Sequence, residues 1–455
     1  MEASKLIEAA ESLLRNAKLL ARHLEGPHPG KTKRDLAIEE EGLRRKIAHQ
    51  AKKIAFETAP ALDVVKSDWI VVSPSSLVLH PSPRTLTKSQ LADVGASHTF
   101  IDWKAFDYIP LEGEISIADL ARAVDAQGSL VARFTALLLS TGKLLPGQGP
   151  NTVRHSRISP LYRTDNGIST LTFIAVGNGM RPYSNWPWYF RQYGRREPLM
   201  QNPTPFSFAW GLPMHSPWEI MAMDPDYAST FGRGMKHKEK VWPRTPLCGR
   251  GALYDFSWVG VEAEKLAQQM GHFVPVVVDV GGGQGQLVID LIREIRGLNP
   301  GQCVLQDRRE ALEDAKCSIG LEGAVLQEHD FHLEQPVKGA LVYILKSVLL
   351  NYSDELATHI LKQLAEALPV DNPKARVIVI EDRFLDVPEL GNRLVDLTML
   401  NLRGKLRNKE MFEAIAVAAG LQVVGFYTQE GKSMCVVECA RVCESAGSPP
   451  GNGDF

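Results

Sequence analysis

The sequence predicts an α/β protein in which a doubly wound, Rossmann-like domain follows an all-α and winged-helix domain. Amphipathic helical patterns open the chain, a helix–turn–helix with two short strands follows Ile115, and apolar runs alternate with helical patterns after Val274. The chain has 455 residues, more than the ~250–300 that one hydrophobic core supports. We therefore expect two domains, at residues 1–195 and 196–443, and a disordered tail at 444–455.

The composition excludes several classes of protein. Apolar residues make up 44% and charged residues 23% of the chain, and the formal net charge is -2, so no overall field attracts nucleic acid. The longest apolar runs fall far short of the ~20 residues of a membrane helix, and the N-terminus lacks the pattern of a signal peptide. We expect a cytoplasmic protein without a membrane or nucleic-acid partner. The six cysteines show no zinc spacing, and we expect no metal.

Two amphipathic helices are predicted before residue 58. Apolar side chains recur every three or four residues from Leu6 to Ala17 and again from Leu43 to Ile54. An apolar stripe of this kind must be covered, either by the domain behind it or by a second chain. A subunit interface at these helices is therefore one prediction of the sequence.

A winged helix is predicted between Ile115 and His155. A helix that reads DNA presents several polar or cationic side chains, whereas the second helix here carries one basic residue, Arg133. We expect this element to be structural. Its parts are a helix at Ile117–Val124 capped by Ser116, a helix at Ser129–Ser140, and strands at Leu144-Leu145 and Thr152-Val153.

Near-continuous apolar runs after Val274 predict strands that are buried on both faces of a parallel sheet. A closing antiparallel hairpin is expected at Gln422–Tyr427 and Ser433–Cys439, and the aromatic stretch from Asn185 to Trp218 is interpreted as a link and pocket wall. The predicted strands are Val276–Val280, Cys303–Leu305, Ala324–Leu326, Leu341–Leu345 and Val377–Ile380, with helices at Gln286–Arg296, Arg308–Ala315, Asp354–Leu368 and Lys409–Ala419.

A glycine-rich loop follows the first predicted strand of this sheet and opens a helix. Free backbone N–H groups at such a position bind the polar groups of a ligand. A dinucleotide fingerprint needs a third small residue where the chain has Gln286. The spacing of Asp279, Gly281, Gly283 and Gly285 instead fits the pattern acid-x-Gly-x-Gly-x-Gly, which is associated with S-adenosylmethionine.

Polar residues also stand at the ends of the next predicted strands. Asp307 closes the second strand, where an acid can hold ribose hydroxyls, and Asp330-Phe331 follows the third, where the pair could bind and cover adenine. Lys346 at the exit of the fourth strand could pair with the cofactor carboxylate. Because the carboxyl ends of parallel strands meet at one edge of the sheet, these residues together predict a cofactor site.

With these motifs in place, the sequence resembles the plant- and fungal-type small-molecule O-methyltransferases along nearly its whole length. The likeness rests on Val278–Gly285, Gln306-Asp307-Arg308, Asp330-Phe331 and Trp258. It implies a homodimer formed through the N-terminal helices, S-adenosyl-L-methionine as cofactor, and a substrate pocket that includes Trp258 and Met399. The resemblance assigns cofactor binding to Asp279, Gly281, Gly282, Gly283, Gly285, Asp307, Arg308, Asp330, Phe331 and Lys346.

The catalytic positions depart from the pattern of that family. Leu350 stands where the family has its catalytic His, and Asn351 stands in the place of the following Asp. Two glutamates usually orient the His; Glu381 is present, but Leu406 replaces the second. Proton removal by a positioned base contributes ~10²–10⁴ to a rate, and leucine cannot supply it.

The leading hypothesis from the sequence is therefore an O-methyltransferase-like pericyclase of fungal secondary metabolism. By resemblance to such enzymes, it would dehydrate a polyketide-derived pyridone alcohol and catalyse a hetero-Diels–Alder or Alder-ene cyclisation without methyl transfer. His155 is the first candidate for the hydrogen-bond donor that such chemistry uses, and Asn351 is the second. Two alternatives remain open: an O-methyltransferase for a phenolic or polyketide product, with His155 as a relocated base, and an inactive ligand-binding homologue.

Overall fold

The computed structural model describes residues 3–25, 33–58, 88–241, 246–270, 274–387 and 389–442. The chain divides into two compact units, one made of residues 1–69 and 108–161, the other of residues 70–107 and 162–455. The tail predicted at 444–455 lies outside the described residues.

The contacts between elements divide the chain at residue 161, whereas the domain boundary predicted from the sequence lies at residue 195. Residues 162–193 belong to the second unit because their helices pack on helices that follow them in the chain. Gly167–Ala175 packs against Pro225–Val241, and Arg181–Tyr193 packs against Pro205–Trp210. This packing buries Tyr189 within the second unit.

The first unit begins with the two predicted amphipathic helices, Ala3–Glu25 and Lys33–Thr58, which pack against each other. Polar side chains join them: Asn16 Nδ2 donates to Gln50 Oε1 at 2.8 Å, and Gln50 Nε2 donates to Ser12 Oγ at 2.7 Å. Three apolar side chains of the first helix remain more than half exposed, namely Ile7, Leu14 and Leu24.

The predicted winged helix is confirmed in the first unit. The strands β1 (Ile115–Ser116), β2 (Leu144–Pro146) and β3 (Thr152–His155) form an antiparallel sheet in the order β1-β3-β2. The Ser116 hydroxyl accepts a hydrogen bond from Asp119 N, as expected of a cap. Its helices are Ile117–Ala123 and Gly128–Ser140.

The second unit is built on a seven-stranded sheet in the order β6-β5-β4-β7-β8-β10-β9. Neighbours from β6 to β8 run parallel, and β10 runs antiparallel to both β8 and β9, so the doubly wound sheet and the closing hairpin are confirmed. The strands are β4 (Val277–Val280), β5 (Cys303–Asp307), β6 (Val325–Glu328), β7 (Val342–Lys346), β8 (Arg376–Asp382), β9 (Leu421–Thr428) and β10 (Met434–Arg441).

Both faces of this sheet are buried, as the apolar strand sequences require. Successive side chains of a strand point to opposite faces, so Val278 and Val280 join one hydrophobic cluster and Val277 joins the other. Helices cover each face. Those of the second unit are Lys88–Asp102, Gly167–Ala175, Arg181–Tyr193, Pro205–Trp210, Pro217–Ala222, Pro225–Val241, Ser257–Met270, Gln286–Glu294, Arg309–Ala315, Asp354–Ala367, Leu390–Leu400 and Lys409–Ala418; Ala105–Tyr108 leads back to the first unit.

Eight of these helices were not predicted from the sequence, namely the seven that precede the first strand of the sheet and Leu390–Leu400. Arg181–Tyr193 is helical despite Pro187 and six aromatic residues, in a stretch interpreted as a link. Tertiary packing overrides weak helix propensity at Arg181–Tyr193, since Tyr189 is buried against Phe208. Within the part of the chain that the structure describes, no helix is both long and apolar enough to cross a membrane.

Candidate cofactor and acceptor site

The carboxyl ends of five parallel strands bring the predicted site residues to one edge of the sheet. The strand order changes direction at β4, with β5 on one side and β7 on the other, and a ligand crevice forms at such a switch point. The glycine loop leaves β4 at this point and leads into the helix Gln286–Glu294. The site is therefore assembled by the topology of the sheet.

The glycine loop adopts a conformation that other residues would not tolerate. Gly281, Gly283 and Gly285 have φ of 71°, 59° and 78°, in the left-handed region. A Cβ at Gly282 would lie 2.3 Å from Asp279 Oδ2, whereas a Cβ at Gly283 would meet no described atom within 4 Å. The loop is thus packed tightly on its inner side and open at Gly283, as a backbone cradle for a ligand should be.

Asp279 lies beneath this loop, fully buried in β4. A side chain at position 282 would collide with this carboxylate, which is why the loop needs glycine there. The further expectation that it anchors the amino group of the cofactor stays a prediction.

Asp307 ends β5 directly beside the loop. Gly283 N donates to Asp307 Oδ2 and Arg308 N donates to Asp307 Oδ1, both at 2.7 Å. Burial raises the pKa of this carboxyl, and the two backbone N–H groups oppose that shift. Each carboxylate oxygen keeps a second lone pair, so Asp307 is placed to accept from ribose hydroxyls while it holds the loop.

The Asp330-Phe331 pair follows β6 and reaches the same loop. A Cβ on Gly281 would lie 3.3 Å from Phe331 Cε1, so this ring borders the open side of the cradle. Phe331 packs on Tyr352 with ring centroids 5.8 Å apart, and burial raises the pKa of the Tyr352 phenol. Sequence reasoning missed Tyr352, because no motif or regular spacing connects it to the loop.

Lys346 and Arg308 stand at the strand ends where they were expected. Lys346 is the half-buried last residue of β7, and the next residue, Ser347, has a φ of 57°. Arg308 caps the helix Arg309–Ala315. Their contacts with the cofactor stay predictions.

The turn that carries the family's catalytic His holds Leu350 here. Leu350 is 6% exposed and lies in the short helical turn Leu349–Asn351. Glu381, which is 1% exposed in β8, accepts a hydrogen bond from Leu350 N at 3.1 Å. Burial raises the pKa of Glu381 to about 7, and Arg407 and three backbone N–H groups of the turn oppose the shift. Glu381 therefore fixes the turn itself.

Asn351 does not fit the expected role of donor to a substrate. Its Nδ2 donates to Ser347 O and to Val348 O, both at 3.1 Å. These two bonds use both N–H groups of the amide. The structure thus assigns Asn351 to the closure of its own turn.

A second segment, Arg403–Arg407, packs against this turn. A Cβ on Gly404 would lie 2.0 Å from Leu350 O, and Lys405 N donates to Leu350 O at 3.0 Å. Leu406 is buried, so both replaced catalytic positions are apolar.

Arg407 holds the turn and was missed by sequence reasoning. Its side chain is fully buried; it donates to Leu349 O at 2.9 Å and to Tyr352 O at 2.8 Å. Its Nε donates to Asp354 Oδ1 at 2.8 Å. A buried guanidinium bonded on all sides indicates a rigid scaffold behind Leu350.

His155 is committed to its own unit. Its Nδ1 lies 2.8 Å from Ser159 Oγ and its Nε2 lies 3.0 Å from Ile109 O, and the residue is 8% exposed. Both ring nitrogens are therefore engaged. This arrangement contradicts the expectation that His155 is a base or a donor for a substrate, and it indicates a structural role in the winged helix.

The two expected pocket residues have different surroundings. Trp258 Nε1 donates to Tyr254 Oη at 3.0 Å, and its partly buried ring packs on the hydrophobic cluster that contains Val277; its role in a substrate pocket stays a prediction. Met399 is half-buried near the end of Leu390–Leu400, and its carbonyl accepts from Gly404 N at 2.8 Å. It therefore lies beside the segment that packs on Leu350, and its role in a pocket stays a prediction.

The site as a whole offers a cofactor cradle and an apolar catalytic position. The described residues hold no group of three or more His, Cys, Asp or Glu side chains that could bind a metal ion. The open glycine loop, the acid at the end of β5 and the aromatic ring beside Gly281 fit an adenosine-containing cofactor.

Comparisons with known proteins agree with this geometry. Residues 195–422 match the O-methyltransferase domain. Methyltransferase cfoD of Aspergillus candidus is 31% identical over 407 residues, which cover 88% of this chain and 92% of that protein. Methyltransferase pvhD of Talaromyces variabilis is 32% identical over 350 residues, covering 77% of this chain and 93% of that protein.

Solved structures share the fold. OxaC matches with a TM-score of 0.69 at 16% identity, covering 97% of this chain and 100% of that chain. LepI in complex with S-adenosylmethionine matches with a TM-score of 0.62 at 18% identity, covering 94% and 98%. The cofactor predicted from the glycine loop, S-adenosyl-L-methionine, is the cofactor of this group of proteins. The chain therefore belongs to the S-adenosyl-L-methionine-dependent O-methyltransferase family.

Proposed function

We propose that this chain transfers a methyl group from S-adenosyl-L-methionine to an oxygen of a small conjugated acceptor that arrives already ionised. The observation that carries the proposal is the apolar catalytic position: Leu350 and Leu406 are buried, and Glu381 is engaged by the turn. An oxygen that has already lost its proton needs no base at position 350. The relatives named above are methyltransferases, which supports methyl transfer as the reaction.

The residues of the chain then act by binding and positioning. When bound, the cofactor supplies an electrophilic methyl group and a fixed positive charge. The loop and Asp307 hold it in place, and the scaffold of Glu381 and Arg407 keeps the turn of Leu350 rigid. The apolar surface at Leu350 excludes water, which strengthens the attraction between an anionic acceptor and a positive charge.

A pericyclase is the second candidate, and the same buried Leu350 favours it. An apolar site with a fixed sulfonium charge could assist loss of water from a polyketide-derived pyridone alcohol. It could then hold the product for hetero-Diels–Alder or Alder-ene cyclisation without methyl transfer. An inactive homologue that only binds a ligand is the remaining alternative.

Acceptors of matched size and different acidity test the proposal. The purified chain is incubated with the cofactor and either 4-hydroxycoumarin, an acidic enol, or 7-hydroxycoumarin, a weakly acidic phenol. We expect S-adenosylhomocysteine and methylated product from the enol at a rate that is constant between about pH 6 and 9. The rate with the phenol should rise about tenfold for each unit of increasing pH until the phenol is ionised, since only its anion reacts.

The Leu350→His variant is the matched comparison. A base at this position should accelerate methylation of the phenol at neutral pH, by up to ~10²–10⁴, and leave the rate with the enol unchanged. Equal rates for both acceptors at about pH 6, where the phenol keeps its proton, would show that another base acts in the unaltered chain and would contradict the proposal. Consumption of a pyridone alcohol without S-adenosylhomocysteine would instead identify the pericyclase.

We further propose that the chain forms a homodimer through its two N-terminal helices and works in the cytoplasm. The exposed apolar side chains Ile7, Leu14 and Leu24 support the dimer, because they lie on one helix and cost free energy in water.

A further inference from the structure

An exposed connection, residues 194–203, joins the helices Arg181–Tyr193 and Pro205–Trp210 and contains neither helix nor strand. Two backbone hydrogen bonds lie within it, donated by Arg196 N and Asn202 N. Most of its side chains are exposed. A segment with so few internal bonds and so little buried surface opens locally at a small cost in free energy.

Side chains from a later part of the second unit hold this connection in place. Lys405 Nζ lies 2.6 Å from Glu197 Oε2, and Arg403 Nη2 donates to Asn202 O. The Arg403 guanidinium also reaches Met200, with Nη1 3.7 Å from Sδ. Contacts at three positions therefore fasten the connection to residues more than 200 positions further along the chain.

The residues that fasten the connection also support the turn of Leu350. Lys405 N donates to Leu350 O at 3.0 Å, and a Cβ on Gly404 would collide with that carbonyl oxygen. Ser353, just after the turn, touches the connection directly, since its Oγ lies 3.8 Å from Met200 Sδ. Lys405 thus joins the exposed connection, through its side chain, to the catalytic position, through its backbone.

The position at Leu350 is closed to solvent in this arrangement. Leu350 is 6% and Leu406 2% exposed, and the buried Arg407 lies behind the turn. An acceptor that reaches position 350 therefore needs a neighbouring segment to move, as lids and loops do in many enzymes. Arg407 is held by buried hydrogen bonds, whereas the connection at 194–203 is held by exposed side chains.

The attachments of the connection are of a kind that breaks readily. The Glu197 side chain is 72% exposed and that of Lys405 is 21% exposed, so water and salt screen their ion pair. Met200 contributes a thioether, which is a weak hydrogen-bond acceptor.

The backbone at both sides of these attachments is suited to a movement. Gly194, with φ of 93°, ends the helix Arg181–Tyr193 and can change conformation without steric cost. Arg403 has φ of 71°, in the left-handed region that strains a residue with a side chain. Strained residues of this kind cluster at ligand clamps and switch regions.

We infer that residues 194–203 form a strap that closes the acceptor site, that Lys405 and Arg403 latch it, and that it swings about Gly194 to admit the acceptor and release the product. Lys405 is then a positioning residue, because its side chain holds the strap while its backbone holds the turn of Leu350. The inference rests on the proposed function, since the strap controls access of the acceptor of that reaction.

Limited cleavage of the full chain by trypsin measures the opening of the strap. Arg195 and Arg196 are exposed within it, and a protease cuts a native segment when that segment opens. Lys405→Met keeps the side-chain stem and removes the charge; Lys409→Met, which breaks the exposed ion pair with Glu413, is the matched control. Fragments that end at the two arginines, counted by mass spectrometry, should appear about two- to fivefold faster in Lys405→Met and at an unchanged rate in the control.

Two further measurements separate a latch from a general loss of stability. Lys405→Arg, which keeps the charge, should be cut at the rate of the unaltered chain, and about 0.5 M NaCl should raise that rate to the rate of Lys405→Met. With S-adenosylhomocysteine bound, stopped-flow tryptophan fluorescence gives the association and dissociation rates of 4-hydroxycoumarin. Both rates should rise about two- to fivefold in Lys405→Met and leave Kd unchanged, because the latch is broken in the free and in the bound protein.

Equal cleavage of Lys405→Met and the unaltered chain at low salt would overturn the latch. Faster cleavage with unchanged association would show that the strap opens without controlling entry, and a rise in the dissociation rate alone would assign Lys405 to binding; either result overturns the inference. If the unaltered chain does not bind 4-hydroxycoumarin, the proposed acceptor class is contradicted, and the cleavage rates alone decide whether the latch exists.

Discussion

At the scale of single residues, Glu381 and Leu350 show how a catalytic position can change while its support remains. Glu381 accepts the backbone N–H of Leu350, and Arg407 binds the carbonyls of Leu349 and Tyr352. These contacts involve the backbone of the turn, so they do not depend on the side chain at position 350. The turn can therefore keep its shape with an apolar side chain in the place of a base.

The buried carboxyl of Glu381 predicts a dependence of stability on pH. Its pKa in the folded protein, about 7, lies above the ordinary 4.5, so the folded chain holds a proton that the unfolded chain releases. The stability that Glu381 contributes to the folded chain is fully present below about pH 4.5 and is lost as the pH rises through 7. Between about pH 5 and 8 the free energy of unfolding should fall by roughly 2–3 kcal/mol through this group.

Guanidinium unfolding of the unaltered chain and of Glu381→Gln at both pH values measures the effect. The glutamine does not titrate, so the difference in stability between the two proteins should shift by that amount in favour of the variant at the higher pH. Parallel pH profiles for the two proteins would show that Glu381 does not titrate in this range.

At the scale of elements, a buried amide joins the helix Leu390–Leu400 to the helices of the aromatic stretch. Asn401 is fully buried; its Nδ2 donates to Asn178 O at 3.0 Å, and its Oδ1 accepts from Trp186 Nε1 at 2.8 Å. Asn178 lies in the π-helical turn Val176–Met180, a geometry that often occurs at functional sites. The network thus positions Met399 and the segment after it relative to this turn and to Trp186.

Removal of this amide should destabilise the protein. Asn401→Ala leaves the Trp186 indole and a backbone carbonyl buried without their partner, which should cost roughly 2–4 kcal/mol in the free energy of unfolding. Asn408→Ala is the matched control, because Asn408 only caps the helix Lys409–Ala418, and its loss should cost about 1 kcal/mol. Equal losses for the two variants in denaturant unfolding would contradict the role assigned to Asn401.

At the scale of the whole molecule, the chain combines a sheet unit that carries the cofactor site with a unit of two long helices and a winged helix. The sheet unit contains all of the loop and strand-end residues assigned above to the cofactor. The first unit is free of such assignments and offers an apolar helix surface, which supports a role in assembly.

Charged residues on this surface should dissociate the proposed homodimer. The double variant Ile7→Glu, Leu14→Glu places two carboxylates on one face of the helix Ala3–Glu25, where a partner helix would have to bury them. Light scattering should give the mass of two chains for the unaltered protein and of one chain for this variant. Val370→Glu, at an exposed position of the second unit, should remain dimeric. A single-chain mass for the unaltered protein would contradict the dimer.

The sequence by itself determined the strands of the large sheet, the glycine loop and the acids at the strand ends. These features follow from local physics: buried strands need continuous apolar runs, left-handed turns need glycine, and helix starts need caps such as Ser353 and Asn408. It also identified the loss of the base at position 350, because a replaced side chain is visible without a structure.

Only the tertiary structure decided which residues surround that position. Arg407 and Tyr352 are brought into place by contacts between elements far apart in the chain, and no local pattern records such contacts. A long-range contact of the same kind engages His155 Nε2 with Ile109 O, against the expectation from the sequence. A side chain's type limits what it can do, but the partners it meets on folding decide whether it is free to do it.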